Sequence, residues 1–461
     1  MGPGRYGKRV ITGGSHSIVG YLTWQDSRKV QRGRDSTVML WSVHGDGRRV
    51  RDGELIGARE RLSWPVMAGF GAQHVAAMIS ATILVPAAVG LPPTTTLLFS
   101  GVGTIVFLVI TRNRVPGYLG SSFAFMAPLI AAKQHGVAAQ LGAVVVAGGI
   151  LIVFGIAVKA LGVRLLESVL PPVVTGGLVL LIGLSMAPHA VRPFEAQPGI
   201  GAITIGVILL CLVLARGLLA RLSVLVGVAV GWFVAIVTGR IEPAKIDALI
   251  NAPWVGVPQF HTPELLPSVM VLSVPVVLVL VAEIVAHVKA VSAISGQDLD
   301  PSIGDALIAN GISTALAGGL GGTGTTAYPA NTGLMAATKV LSTAACAMAA
   351  VCAVLLAFVP KVAALIDTMP PGVVGGLGIG LFGLLGMLGV RIWSQAKVDL
   401  ASPVTLMIAG AAVLAGVGDL TVSIWGLELH GVAWGSVVIV VLYPVVRRLR
   451  ARRDNQGPKF T

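Results

Sequence analysis

The sequence predicts an all-α polytopic membrane protein: fourteen membrane-spanning segments in two inverted repeats of seven, with broken helices that carry short extended pieces at spans three and ten. Three observations predict this. Of 461 residues, 55% are hydrophobic and only 11% charged, whereas soluble domains carry about 25% charged residues. The mean hydropathy is +0.86, and apolar runs of membrane length recur along the chain. The chain also resembles itself at a fixed offset. Together these exclude a soluble enzyme. The 59 glycines suit close helix packing in lipid.

A helical span needs about 20 mainly apolar residues. Segments near 64–87, 94–111, 136–158, 168–187, 200–215, 222–239, 267–289, 303–321, 340–359, 371–390, 400–417 and 431–446 qualify. Two shorter pieces, near 120–133 and 329–339, bring the count to fourteen. Asp419 and Glu428 then read as loop residues between the last two spans.

The net charge of +13 raises a nucleic-acid reading, but its placement points to topology. Cytoplasmic segments collect Lys and Arg. With an even number of spans, Arg59, Arg61 and the tail Arg447, Arg448, Arg450, Arg452 and Arg453 share the cytoplasmic side. With fourteen, Arg112, Arg114, Lys159, Arg164, Arg216, Arg221, Lys289, Lys339, Arg391 and Lys397 also fall inside. Lys133, Arg192, Arg240, Lys245 and Lys361 fall outside. The expected placement is therefore a multi-pass protein of the bacterial inner (plasma) membrane with both termini cytoplasmic and no nucleic-acid partner. Residues 1–60 are polar and basic, and 1–38 are expected to be disordered and dispensable, with Met39 a candidate start. Residues 61–446 form the transporter domain and 447–461 a basic tail. Cys211, Cys346 and Cys352 lie in apolar runs without a CxxC and read as packing residues.

The repeat rests on matched pairs. Gln73-His74 in span one corresponds to Glu283 in span eight, 210 positions on. Gly120-Ser121-Ser122-Phe123 leads into the first short piece, and Thr325-Thr326-Ala327-Tyr328-Pro329-Ala330-Asn331 into the second. Seven spans per half is an odd number, so the halves are inverted. Inverted repeats with a Gly/Pro-interrupted segment in each half point to a secondary transporter whose site lies near the midplane. Gly120 and Pro329 break helices there, and Ser121, Ser122, Thr325, Thr326 and Asn331 can satisfy the freed backbone groups.

Glu283 is the first candidate for chemistry. It lies inside the apolar run 268–287, with His287 at i+4 on the same helix face. A carboxylate at membrane depth is costly and marks a substrate or proton pathway. A structural pairing of Glu283 with His287 is the plain alternative. A zinc pair is another, but no third ligand stands nearby. A flat polar ligand could bond to half-helix amides and to Glu283 with Phe123 against its face.

These motifs resemble the nucleobase–cation symporter family 2, also called the nucleobase–ascorbate transporters. The resembling residues are Gln73-His74, Gly120-Ser121-Ser122-Phe123, Glu283-x-x-x-His287, and Tyr328-Pro329-Ala330-Asn331-Thr332-Gly333 with Thr338-Lys339. The resemblance implies a core domain, about 64–160 and 267–360, and a gate domain, about 165–266 and 370–446. It implies proton-coupled transport of a nucleobase such as uracil or xanthine, a homodimer, and neither cofactor nor metal. Substrate binding then falls to Glu283, Phe123, Ser122, Ala81, Tyr328, Pro329, Ala330 and Asn331. Proton coupling falls to Glu283 and His287, with His74 and Gln73 as further contributors. One departure stands out: the family has Glu or Gln where this chain has Ala330, so half of the usual side-chain clamp is missing. A bidentate contact to a base edge is worth about 1–3 kcal/mol, so the identity of the base stays open. Pro329, where Gly is common, removes one backbone donor.

Two rivals follow from the same reading. A transporter of the same fold could carry another small organic or inorganic anion, but Glu283 is unfavourable in an anion site. A membrane enzyme or receptor would need a soluble domain, and nothing beyond residues 1–60 supplies one.

Overall fold

The computed structural model describes residues 41–48, 54–163, 166, 171–215, 223–270, 272–418, 420, 422–424, 427–429, 431–446 and 449. The expected disordered segment 1–38, Met39 and the tail arginines lie outside the described residues.

Two short strands, β1 (Ser42–Val43) and β2 (Glu60–Arg61), pair in parallel ahead of the first long helix. The helices then follow as α1 (Trp64–Val89), α2 (Pro93–Ile110), α3 (Met126–Ala131), α4 (Val137–Leu161), α5 (Pro172–Ser185), α6 (Ala187–Ala196), α7 (Pro198–Leu214), α8 (Ser223–Val237) and α9 (Pro243–Asn251). The second half supplies α10 (Pro267–Met270), α11 (Ser273–Ser295), α12 (Ile303–Leu320), α13 (Pro329–Thr338), α14 (Thr343–Ala357), α15 (Pro360–Asp367), α16 (Pro371–Gln395), α17 (Pro403–Val417) and α18 (Gly431–Val437). Proline opens α2, α5, α7, α13, α16 and α17, where its missing N–H costs nothing. Left-handed Gly90, Gly296 and Gly321 end α1, α11 and α12.

Among the described residues, each apolar run expected to span the membrane contains helix. Among the described residues, six helical stretches are long and apolar enough to cross a bilayer. A seventh arises if α14 and α15, bent by 80° at their junction, are taken together. Several other helices are shorter than the roughly 20 residues of a full crossing. The chain is a multi-pass membrane protein built almost wholly of helices. Glu428, expected in a loop, pairs with Ser423 in a hairpin of β5 (Val422–Ile424) and β6 (Leu427–Leu429). Strands of three residues are too short to leave an alternating pattern in sequence.

Between α2 and α3 lies β3 (Leu119–Ser121), and between α12 and α13 lies β4 (Thr325–Ala327). They pair antiparallel, Gly120 opposite Thr326. Hydroxyls satisfy the outer edges of this two-stranded sheet. Thr104 of α2 accepts from Leu119 N at 2.8 Å. Thr314 of α12 accepts from Thr325 N at 3.2 Å. Residues 104 and 314 are 210 apart, the separation of Gln73 and Glu283. The neighbouring pair 103 and 313 touches directly, with Ser313 Oγ donating to Gly103 O at 3.0 Å.

The helices form two sets. In one, α12 packs along α4, α14 along α1 and α2, and α11 against α4 and α12. In the other, α16 packs on α5, α6 and α7, α8 on α7, and α17 and α18 on α5. Glycine lets backbones touch in both. A Cβ on Gly148 would lie 2.5 Å from Ala315 N and 2.7 Å from Gly311 O. In the second set, a Cβ on Gly183 would lie 2.3 Å from Gly386 N. The connection after α9 runs across the first set. It accepts from Thr95 Oγ1 at Gln259 O (2.5 Å), and donates from His261 N to Leu320 O (3.3 Å) and from Glu264 N to Ala138 O (2.8 Å).

Gly148→Leu is expected to wedge α4 from α12 and to destabilise the protein by about 1–3 kcal/mol, the usual range for overpacking. Thermal unfolding of the purified variant checks this; an unchanged midpoint would mean that the helices separate freely there.

Candidate functional site

The paired strands bring the starts of two short helical pieces together. After β3, Ser122 caps a 3₁₀ turn, Phe123–Phe125, by accepting from Ala124 N at 3.2 Å. After β4, Tyr328 precedes α13, whose first residue is Pro329. Ser122 N donates to Gly324 O at 3.0 Å, extending the pairing by one residue. Glycine is required on both sides. A Cβ on Gly120 would lie 2.6 Å from Met78 Cε, and one on Gly324 would lie 2.0 Å from the Phe125 ring. The first-turn amides of Phe123 and Ala330 have no intrahelical acceptor, as at any helix start.

Glu283, from the middle of α11, reaches this junction and is half-buried. Ser122 Oγ donates to Glu283 Oε2 at 3.1 Å. Thr326 and Tyr328 lie beside the same carboxylate. A carboxylate has about four acceptor sites, so capacity remains for a ligand.

α1 packs against β3 and α13. Asn331, fully buried, donates from Nδ2 to Met78 Sδ at 3.4 Å. His74, also buried, lies beside Asn331. Gln73 Oε1, His74 Nδ1, Thr326 Oγ1 and Asn331 Oδ1 are buried and make no well-formed hydrogen bond within the described protein. Buried polar atoms left open in a native structure call for a partner.

His287 is placed differently from Glu283, although both lie on one face of α11. Its Nδ1 is 2.8 Å from Thr332 Oγ1 and its Nε2 3.0 Å from Pro116 O. A carbonyl oxygen can only accept, so Nε2 carries the proton and Nδ1 accepts from Thr332. Both ring nitrogens are engaged, and His287 makes no hydrogen bond to Glu283. A Cβ on Gly117 would lie 3.1 Å from Nε2, so the bare backbone at Gly117 leaves room for the ring.

Phe123 is buried, with its ring 5.8 Å from that of Tyr328 and 6.2 Å from that of Phe382, edge-on at 88°. Phe382 lies on α16 of the second helix set, so this contact joins the two sets at the site. No local signal in the sequence marks Phe382, since it is one aromatic in a Gly-rich apolar run. Ala81 is fully buried in the same apolar cluster, with Val85, Met126, Val373 and Leu377. Ala330 is exposed, whereas its neighbour Asn331 is fully buried. Thus Glu283 meets Ser122, Thr326 and Tyr328, Phe123 packs near Tyr328 in the apolar cluster that holds Ala81, His74 lies beside Asn331, and Ala330 is exposed.

Residues 67–424 match the profile of a family described as a permease family. The chain belongs to this family, the nucleobase–ascorbate transporters. RutG of Escherichia coli (strain K12), named as a putative pyrimidine permease, is 38% identical over 403 residues, which cover 84% of this permease and 91% of RutG. The uracil permease of Bacillus caldolyticus is 37% identical over 390 residues, 80% of this chain and 89% of its own. Among solved structures, SLC26A9 superposes with a TM-score of 0.63 at 11% identity, covering 84% of this permease and 66% of that chain. The transmembrane domain of the cyanobacterial bicarbonate transporter BicA gives 0.52 at 18% identity, covering 77% and 95%. At such low identity these two share the fold of this permease and nothing finer.

Proposed function

We propose that this permease is a secondary active transporter that carries a nucleobase (uracil, xanthine or a related heterocycle) together with protons across the plasma membrane. The observation that carries the reading is the placement of Glu283, with Ser122 on one oxygen and Thr326 and Tyr328 beside it, where two half-helix starts meet and the Phe123 ring packs near Tyr328. A planar heterocycle has ring N–H groups for a carboxylate, carbonyls for backbone amides and a face for an aromatic ring. The uracil permeases and RutG, similar along most of their length, support the same substrate class. An inorganic anion is disfavoured, because Glu283 would repel it in a water-poor site.

In this reading the chain crosses the membrane fourteen times as two inverted repeats, with both termini cytoplasmic. The extended pieces β3 and β4 are the breaks in spans three and ten. The recurrence of one 210-residue separation in Gln73–Glu283, Gly103–Ser313 and Thr104–Thr314 supports the repeat. The helix set containing α1–α4 and α10–α14 is the core, and the set containing α5–α8 and α16–α18 is the gate. Access alternates as one moves against the other, in a homodimer. Ser122, Phe123, Ala81 and the Tyr328–Asn331 segment form the pocket, including the Pro329 and Ala330 backbone. Glu283 holds the proton, and Gln73 and His74 supply polar groups on the facing wall. His287, with both nitrogens engaged, holds α11 to α13 and to the Pro116 turn.

Glu283→Gln keeps the shape but removes the charge. It is expected to reduce proton-driven uptake of labelled uracil or xanthine into proteoliposomes by at least about tenfold, the low end for a charged hydrogen bond. Wild-type uptake in a folded variant would overturn the assignment.

Ala330→Glu is expected to add an acceptor beside the pocket without displacing neighbours, since Ala330 is exposed. The expected result is a shift toward uracil of roughly tenfold or more, within the range of a good base-edge contact. Competition uptake with a panel of bases reads the shift. An unaltered order of preference would place Ala330 outside the pocket.

A further inference from the structure

The segment before α1 is stitched to the far end of α13, the helix whose start carries Tyr328, Ala330 and Asn331. Ile56 N donates to Lys339 O at 2.9 Å, and Leu341 N donates to Ile56 O at 2.9 Å. Thr343 N donates to Ala58 O at 3.0 Å, and Thr343 Oγ1 to the same oxygen at 2.7 Å. Ser342 Oγ donates to Glu60 O, and Trp41 Nε1 donates to Thr343 Oγ1 at 2.7 Å. Ile56 and Leu62 are buried with Met67, Val340, Ala344 and Ala345. The segment is internally braced. Glu60 Oε2 accepts from Gly57 N at 2.9 Å and lies 2.9 Å from His44 Nδ1. It also reaches the turn after α2, where Arg59 Nη2 donates to Arg112 O at 3.2 Å.

The residue held by Ile56 is unusual. Lys339 ends α13 with φ of +58°, in the left-handed region that non-glycine residues avoid. Such a conformation persists only where its surroundings enforce it. The main-chain pair between Ile56 and residues 339 and 341 brackets this turn. α13 has only 10 residues, about 15 Å at 1.5 Å per residue. A displacement of its end at Lys339 therefore reaches its start with little to absorb it.

We propose that residues 54–62 are a positioning clamp for the binding half-helix. By holding the left-handed turn at Lys339, they set where Tyr328, Ala330 and Asn331 stand relative to Glu283. The proposal rests on the nucleobase-transport reading. It makes the segment ahead of the first span part of the binding apparatus, although none of its residues is among the candidate substrate-binding residues.

The test uses the full chain carrying Ser342→Ala and Thr343→Val, which removes the two side-chain hydrogen bonds to the clamp, together with the Trp41 contact and the Ser342 cap on Ala344 N, without touching the pocket. Three quantities are measured: backbone hydrogen exchange across 329–338, uracil binding to purified protein, and KM and maximal rate in proteoliposomes. Exchange in 329–338 is expected to accelerate. The uracil Kd and KM are expected to rise roughly three- to tenfold, the weight of about one net hydrogen bond. Adding Lys339→Gly should restore them, because glycine adopts the left-handed turn unaided. If the unfolding midpoint falls while Kd and KM stay at wild-type values, the segment is only a structural brace and the proposal is overturned. If the double variant does not fold, Glu60→Gln weakens the clamp more gently and is read by the same criteria. Failure of the wild-type chain to bind any of uracil, xanthine or thymine would count against the transport reading alone, and the exchange and rescue measurements would still decide whether the clamp holds α13.

Discussion

The structure depends on one requirement: extended backbone inside a bundle of membrane helices must find hydrogen-bond partners other than water. Unsatisfied N–H and C=O groups in hydrocarbon cost several kcal/mol each. β3 and β4 meet this requirement by pairing with each other, three residues against three. Their outer edges are closed by Thr104 and Ser100 on one side and Thr314 on the other. Neither strand would be tolerable alone. Their union brings the two halves of the chain together at one point, and the candidate site lies there.

The remaining features follow from that crossing. Glycine at 120 and 324 leaves room for Met78 and Phe125, which pack directly against the strands. The strands end where two helical pieces begin, so polar amides and hydroxyls collect around Glu283. Ser122 both caps its own turn and donates to the carboxylate. Phe123 carries the junction outward to Phe382 on the other helix set. A movement of one set against the other therefore changes the surroundings of the ring on which a planar substrate would stack. In the proposed reading, movement of the core against the gate and recognition at the pocket share this one contact.

The membrane class, the permease family and the grouping of Glu283, Ser122, Phe123 and Asn331 are legible in the sequence. A carboxylate in an apolar run is improbable by chance, and Gly or Pro clustered with hydroxyl residues at matched separations marks the breaks, whereas Pro86 and the glycines of α16 lie inside unbroken helix. Other features carry no such signal. Phe382 is one aromatic among many apolar residues. Thr104 and Thr314 sit within ordinary helices, and only the hydrogen bonds to Leu119 and Thr325 show why hydroxyls stand there. Residues 54–62 read as part of a polar leader, because Ile56 and Leu62 are isolated apolar residues whose burial depends on Val340 and Ala344, far along the chain.

By itself the sequence determined the solvent of this protein, its helical run lengths, the positions of its breaks and the placement of a carboxylate among them, since all of these are local or periodic properties. Only the tertiary structure decided how those parts are used. It separated Glu283 from His287, giving one to Ser122 and the other to Thr332 and Pro116, although both lie on one helix face. It left Ala330 exposed and buried Asn331 beside it. It fastened residues 54–62 to Lys339. Each of these outcomes depends on which distant backbone or side chain arrives within about 3 Å, and hydrogen-bond partners brought together from opposite halves of a chain leave no period in its sequence.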